Sequence, residues 1–324
     1  MHYTNSVSTK ISIYAISQIY SDEKTRSERV IAELFAKYHP SLEERESIVE
    51  NVHGTLKMQG RIDYILKQLS IDTKIYDDTE IAILRLATFL TFLTKSPKSA
   101  ESAEKSRHVP SKPKSWKSHN SKRSKPTKTS KPEIHKQDLK NELIKELISV
   151  TRSLGVKNVK LENDLKKIIN ESEKVEYPDR ISNRLEYIST YHSHPYWFVK
   201  WVSTWLGVDE TERFCEANNH EPPLVIRANT LKISREELAK LLKEEGFDTI
   251  PTKYSPFGLV AKQKGDIYKT KSFSNGYFET QDEASQLVTM LAKPPNRGKI
   301  VDACAGSGGK TIFLSALMEN KGRI

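Results

Sequence analysis

Apolar residues recur at helical spacing through residues 20–93, so the first part of the chain reads as packed helices. Ser41 followed by Glu44 is a capping-box signature, and Ile48, Val49, Val52 and Leu56 mark one face of the helix it opens. Ile62, Ile65, Leu66 and Leu69 continue the stripe, while Gly54 and Gly60 argue against one unbroken helix. Asp78 or Thr79 can cap a third helix over 80–93, which is apolar on nearly every side and predicts the buried centre of a bundle. Helical patterning returns at 139–149 (Leu143, Ile144, Leu147, Ile148) and at 161–169. From Pro222 the period changes. Residues 224–228 read as a strand, Ser234 with Glu237 opens a capped helix that Gly246 ends, and short strands follow near 258–261 and 277–280. Residues 222–281 are thus a β-α-β-β module.

Between the two helical stretches the pattern disappears. Residues 95–135 are rich in Lys, Ser and Pro, with hardly an aliphatic side chain, and cannot bury enough apolar surface to offset their ordering entropy. The chain carries a net charge of +10, and all of the excess sits between Lys95 and Lys140, where 14 Lys/Arg face 4 Asp/Glu. The segment is expected to be a disordered basic linker. It is either an arm drawn to RNA phosphates, with a salt-dependent contribution, or a solvated spacer, and nuclear targeting is a third use of such a run.

Hydrophobic content of 36 % is low for a wholly globular chain, in keeping with that linker. The two cysteines, Cys215 and Cys304, make neither a disulfide framework nor a zinc site, which favours a cytoplasmic protein. Residues 1–10 are polar with no apolar run behind them, and the most apolar stretch, 81–93, falls short of the ~20 residues a membrane-spanning helix needs. No membrane and no metal are expected. His192 and His194 lie among aromatics (Tyr191, Tyr196, Trp197, Trp201, Trp205), but no acidic or thiol partner stands at ligand spacing, so this stretch reads as aromatic packing at a helix junction.

The most specific chemistry lies in residues 299–311, Lys-Ile-Val-Asp-Ala-Cys-Ala-Gly-Ser-Gly-Gly-Lys-Thr. A short apolar strand (Ile300, Val301), an acidic residue (Asp302) and a glycine-rich turn run into a helix expected over about 310–320, with Gly322 at its C-terminal cap. Such a turn brings backbone N–H groups and a helix N-terminus to a cofactor, and glycines allow close approach. Lys310 opposes the helix dipole, so it either meets RNA phosphate or a cofactor carboxylate, or snorkels at the surface. A phosphate-binding loop is the rival reading of Gly309-Lys310-Thr311, but that motif needs glycine where Cys304 stands. Arg227 and Asn229, on and just after a strand of the small module, are candidate RNA contacts, and Asn229-Thr230 also suits a strand end. Asp282 suits a helix cap better than a catalytic role.

Several further signatures stand in order before that turn. They are His194-Pro195-Tyr196-Trp197-Phe198-Val199-Lys200-Trp201, Asn218-Asn219 with Pro222-Pro223-Leu224, Arg227-Ala228-Asn229-Thr230, and Gly276 with Gln281-Asp282-Glu283-Ala284-Ser285-Gln286. With 302–311 they resemble the Sun-type (Fmu, RsmB-like) family of S-adenosylmethionine-dependent RNA cytosine-5 methyltransferases. Upstream, Val52-His53-Gly54-Thr55-Leu56, Arg61-Ile62-Asp63-Tyr64-Ile65-Leu66 and Ile83-Leu84-Arg85-Leu86-Ala87 are similar to the NusB-like RNA-binding domain that bacterial members carry.

The resemblance implies S-adenosylmethionine on the turn Cys304, Ala305, Gly306, Ser307, Gly308, Gly309 and Lys310, with Arg227, Asn229 and Lys310 toward RNA, ribosomal RNA rather than tRNA. In the family a cysteine thiolate adds to C6 of cytosine, which activates C5 for the methyl group, and a second cysteine assists elimination. The family usually has Ala-Pro where this chain has Gly306-Ser307. Its Asp-x-Pro-Cys and Thr-Cys segments, and the acidic residue for the ribose, come downstream of the turn. The expectation is a C-terminally truncated member with no catalytic residue assigned. By itself it would be inactive on cytosine, weak or silent toward the cofactor and prone to aggregate, unless a second polypeptide completes the domain. A catalytically inactive RNA-binding fragment is the alternative. The expected fold is mixed: a NusB-like all-α domain over 1–94, the linker over 95–135, and further helices over 136–215. A small α/β RNA-binding module then covers 216–280, and the first βα unit of a Rossmann-like methyltransferase domain covers 281–324.

Overall fold

The computed structural model describes residues 6–22, 24–93, 136–262 and 265–324, so the basic segment 95–135 lies outside the described residues. The chain divides into two compact units, Met1–Asn219 and His220–Ile324.

The first unit is helical. Helices α1 (Ser6–Ser21), α2 (Ser27–Tyr38), α3 (Leu42–Lys57), α4 (Gln59–Gln68), α5 (Asp78–Leu93), α6 (Lys136–Ser153) and α7 (Val159–Glu171) share one core. The Ser41–Glu44 box forms as expected, each residue bonding the other's backbone, and the helix that follows breaks at Met58 between the two suspect glycines. Helix α5 is the bundle centre, with Ala82, Ile83, Leu84, Leu86 and Ala87 fully buried. Its N-terminal cap is one residue earlier than the sequence suggested. Asp77 accepts from the Glu80 amide at 2.8 Å, and its own amide donates to Glu80 at 3.1 Å. Helix α1 was not legible because its inward face mixes Ile11, Ile13 and Ile16 with Ser8, Thr9 and Ser12, all buried. The Ser12 hydroxyl donates to the Ser8 carbonyl at 2.7 Å, which satisfies a polar side chain inside the helix.

Helices α8 (Arg184–Tyr191) and α9 (Tyr196–Asn218) pack over Ile188, Val199 and Cys215. Gly207, at φ 74°, interrupts α9. Glu212, nearly buried, accepts from Arg180 at 2.7 Å and Arg184 at 3.0 Å, tying α9 to the segment before it. The expected aromatic junction is only partly present. Tyr191 packs on Tyr177 and Tyr187, the Arg61 guanidinium lies over Tyr177 and Tyr191, and Arg180 lies over Tyr187, but Trp197, Trp201 and Trp205 are exposed. His194 Nδ1 lies 2.7 Å from the His192 carbonyl, so one ring nitrogen is spent on local backbone. Among the described residues no cluster of three or more His, Cys, Asp or Glu side chains suits a metal, and no helix is long and apolar enough to cross a membrane.

The second unit is built on an antiparallel sheet in the order β2-β3-β1-β4, from β1 (Val225–Ala228), β2 (Thr249–Pro251), β3 (Gly258–Ala261) and β4 (Phe278–Thr280). Helix α10 (Arg235–Glu244) opens on the Ser234–Glu237 capping box and packs Leu238 and Leu242 onto Ile226, Leu259 and Phe278. Strand β2 adds a strand to the expected β-α-β-β pattern. It is short and ends in Pro251, which an edge strand tolerates. Short helix α11 (Lys271–Ser274) precedes β4, and α12 (Glu283–Leu291) and α13 (Gly309–Leu317) follow it. The expected strand at Ile300-Val301 does not form as a strand. A single parallel bridge joins Lys299 to Arg323, with Ile300 N–H donating to the Arg323 carbonyl at 2.9 Å, and Val301 is 88 % exposed. Helix α13 also ends earlier than the pattern suggested, at Leu317, because Glu319 and Asn320 turn left-handed before Gly322.

Candidate cofactor site

The turn between Asp302 and α13 has the backbone that its glycines permit. Gly306 (φ 56°) and Gly308 (φ 86°) are left-handed, and Gly308 N–H donates to the Ala305 carbonyl at 2.9 Å, closing the turn. A Cβ at either position would meet nothing within 4 Å, so the space beside both is open. Gly308 is the N-cap of α13, and no side chain caps that end. The first-turn N–H groups therefore face outward without a side-chain acceptor, and the helix dipole adds a fractional positive charge there. Asp302 is held behind the turn. One carboxylate oxygen accepts the Thr311 hydroxyl at 2.7 Å and the other the Cys304 amide at 3.3 Å. Cys304, Ala305, Gly306, Ser307 and Lys310 are exposed, and Gly308 and Gly309 are half-buried.

The residues expected to reach RNA fare differently. Arg227 is 1 % exposed, which corrects its assignment as an RNA contact. Its Nε donates to Gln281 Oε1 at 2.6 Å, its Nη2 approaches the Gly309 carbonyl at 3.5 Å, and the guanidinium lies 4.4 Å from the Phe313 ring centre. Burial pulls this guanidinium down to about 10, with Glu279 opposing. Asn229 serves the strand end. Its amide donates to the Gly276 carbonyl at 3.0 Å and its Oδ1 accepts from the Leu231 amide at 3.3 Å, which leaves the side chain engaged within the module. Lys310 alone of the three stands at the surface.

A hub of hydrogen bonds joins α12 to the sheet, and sequence reasoning did not find it. Asp282 caps α12 as expected, accepting from the Ala284 amide at 2.9 Å. Glu283 accepts from the Tyr254 and Ser255 amides at 2.5 and 2.8 Å. Buried Gln286 takes the Ser255 hydroxyl at 2.6 Å and donates to the Gln281 carbonyl at 2.8 Å. The only sequence signal was the cluster 281–286 itself, since its partners lie some thirty residues away in a loop with no pattern. Of the two thiols, Cys215 is fully buried and pushed up by burial, while Cys304 is exposed in the turn.

The fold thus combines a helical bundle unit with an α/β unit that carries an open glycine turn. Residues 9–104 match the NusB family, and residues 194–268 match the ferredoxin-like domain of RsmF/B-type methyltransferases. The chain is 33 % identical over 146 residues to a probable ribosomal RNA small subunit methyltransferase B of Bacillus subtilis, covering 45 % of this chain and 32 % of that protein. It is 32 % identical over 127 residues to the ribosomal RNA small subunit methyltransferase B of Pseudomonas syringae, covering 38 % and 27 %. It is 33 % identical over 153 residues to a mouse 28S rRNA (cytosine-C(5))-methyltransferase, covering 47 % and 19 %. The crystal structure of PH0851 shares the fold, with a TM-score of 0.61 at 22 % identity over 99 % of this chain and 63 % of that one. The chain is thus similar, over its matched stretches, to the Sun-type, RsmB-like RNA cytosine-5 methyltransferases, and it spans a third or less of the length of each of these three methyltransferases.

Proposed function

We propose that the chain serves S-adenosylmethionine-dependent methylation of RNA at cytosine C5, on ribosomal RNA rather than tRNA, in the cytoplasm. The observation that carries this reading is the turn, left-handed at Gly306 and Gly308, open beside both, and leading into an uncapped helix. Residues Cys304 to Lys310 hold the cofactor, and Asp302, fixed by Thr311, keeps the turn in shape. When bound, S-adenosylmethionine supplies an electrophilic methyl group. The outward N–H groups and Lys310 suit its carboxylate, as a helix N-terminus suits any anion. The bridge from Lys299 to Arg323 reads as the seed of the parallel pairing of a Rossmann-like sheet.

Neither thiol of these 324 residues is assigned to ring attack or release. Cys215 is sealed in a helix core, and Cys304 belongs to the turn. The purified 324-residue polypeptide should therefore make no 5-methylcytosine. RNA competition tests the substrate side. Ribosomal RNA fragments should displace a labelled ribosomal probe better than tRNA, with affinity falling as salt rises. Equal displacement by tRNA, or 5-methylcytosine formed by this polypeptide alone, would count against the reading. Ribosomal RNA binding with no cofactor at the turn would instead leave an RNA-binding protein.

A further inference from the structure

Arg227 is a charged side chain in an apolar setting with its hydrogen-bonding capacity half used. It sits on β1, opposite Glu279 in the β1–β4 register, yet it forms no ion pair among the described residues. Nε is spent on Gln281, Nη2 reaches Gly309 only at 3.5 Å, and Nη1 is buried with no partner. A buried guanidinium in this state is costly, and a leucine or methionine would fill the same volume without that cost. What the arginine does that an apolar residue cannot is reach two elements at once. Through Gln281 it is tied to the start of α12. Through the Gly309 carbonyl and the face of Phe313 it is tied to the first turn of α13, the helix that begins at the glycine turn. Phe313 is itself fully buried, edge-on to Phe257 of the β3 approach at 5.3 Å. The Gln281 amide also lies 3.9 Å from where a Cβ on Gly309 would stand, so the three groups meet at one point.

We infer that Arg227 is a positioning residue that sets the glycine turn against the sheet of the second unit through Gly309 and Phe313. The inference rests on the cofactor reading only for what the turn is used for; the mechanical link stands on the geometry alone. Rigid backbone N–H groups are what an anion-facing turn needs, and a fork anchored on a sheet strand supplies rigidity that a nine-residue helix with an uncapped start lacks.

The test is amide hydrogen exchange on the full 324-residue chain without ligand, comparing Arg227→Lys with Leu259→Ala. Leu259 is a buried core residue of the same sheet, clustered with Ile226, Leu238, Leu242 and Phe278, so it reports a loss of sheet packing. In Arg227→Lys, exchange of the 303–313 amides should rise by about tenfold, the size expected for losing one charged hydrogen bond, while exchange in β1 and β3 stays near wild type. In Leu259→Ala the sheet and the turn should loosen together. If Arg227→Lys does not fold, Gln281→Met, which frees the guanidinium from its Nε acceptor, is read the same way. Turn exchange that rises no more than that of β1 and β3 in these variants would overturn the inference. The cofactor reading is tested separately, by ligand protection of the wild-type turn. A turn that loosens in Arg227→Lys but is never protected by S-adenosylmethionine would leave the positioning role intact and remove only the cofactor reading.

Discussion

Gly54 carries no side chain because α3 and α5 meet there. A Cβ on it would stand 2.1 Å from the Phe89 ring, a distance real atoms do not reach. Gly54→Ala should therefore cost about 1–3 kcal/mol, the usual penalty of overpacking a tight helix contact, and chemical denaturation of the chain reads it. Phe89→Leu in the same background should recover part of the loss, whereas no recovery would place the strain elsewhere. Tyr20 belongs to the same bundle and lies beside Arg85, whose guanidinium is 4.2 Å from its ring and paired with Asp63 at 2.9 and 3.0 Å. Burial pushes the Tyr20 phenol up to about 12, against the opposing pull of Arg85. The folded state then holds a proton that the unfolded chain releases near pH 10, so stability from this group is full below pH 10 and is lost as pH rises toward 12. Tyr20→Phe should flatten the fall of the denaturation midpoint between pH 10 and 12, and an unchanged slope would contradict the assignment.

At the scale of elements, the loop 252–257 is closed by its own bonds, Thr252 N–H to the Gly258 carbonyl and the Thr252 hydroxyl to the Ser255 carbonyl, and is held to α12 by Glu283 and Gln286. Gln286→Ala leaves the Ser255 hydroxyl and the Gln281 carbonyl without their buried partner, at about 1–3 kcal/mol for each unsatisfied group. The second unit should unfold at correspondingly lower denaturant, and a change under 0.5 kcal/mol would show that water replaces the amide. The elements with strong period or caps were legible in sequence: α3 from its capping box, α5 from its all-round apolarity, α10 from Ser234 and Glu237, and the cap at Asp282. Those decided by neighbours were not. Helix α1 buries serines and a threonine among its isoleucines, which blurs its apolar stripe, β2 is an edge strand with a proline, and the Ile300-Val301 stretch forms one bridge where a strand was expected. The turn itself was legible, since glycine at 306 and 308 is demanded by the left-handed backbone. Arg227 was not, because nothing in its sequence neighbourhood says whether a strand arginine points outward to phosphate or inward to Gln281.

At the scale of the whole molecule, the second unit exposes much apolar surface near the turn. Leu291 is 76 % exposed, Val288 57 % and Val301 88 %. Surface of this kind favours association, so the 324-residue chain made alone should self-associate with rising concentration, and Leu291→Lys with Val288→Lys should reduce it. A wild-type chain that sediments as one monomeric species at all concentrations would contradict this. The central claim is that residues 304–310 form an S-adenosylmethionine turn, and ligand protection in amide hydrogen exchange addresses it at concentrations where association is limited. With millimolar S-adenosylmethionine, amides of 303–313 should exchange more slowly than in the free chain, while Mg-ATP leaves them unchanged. Protection by ATP and not by S-adenosylmethionine, or no change in this segment with either, would contradict it.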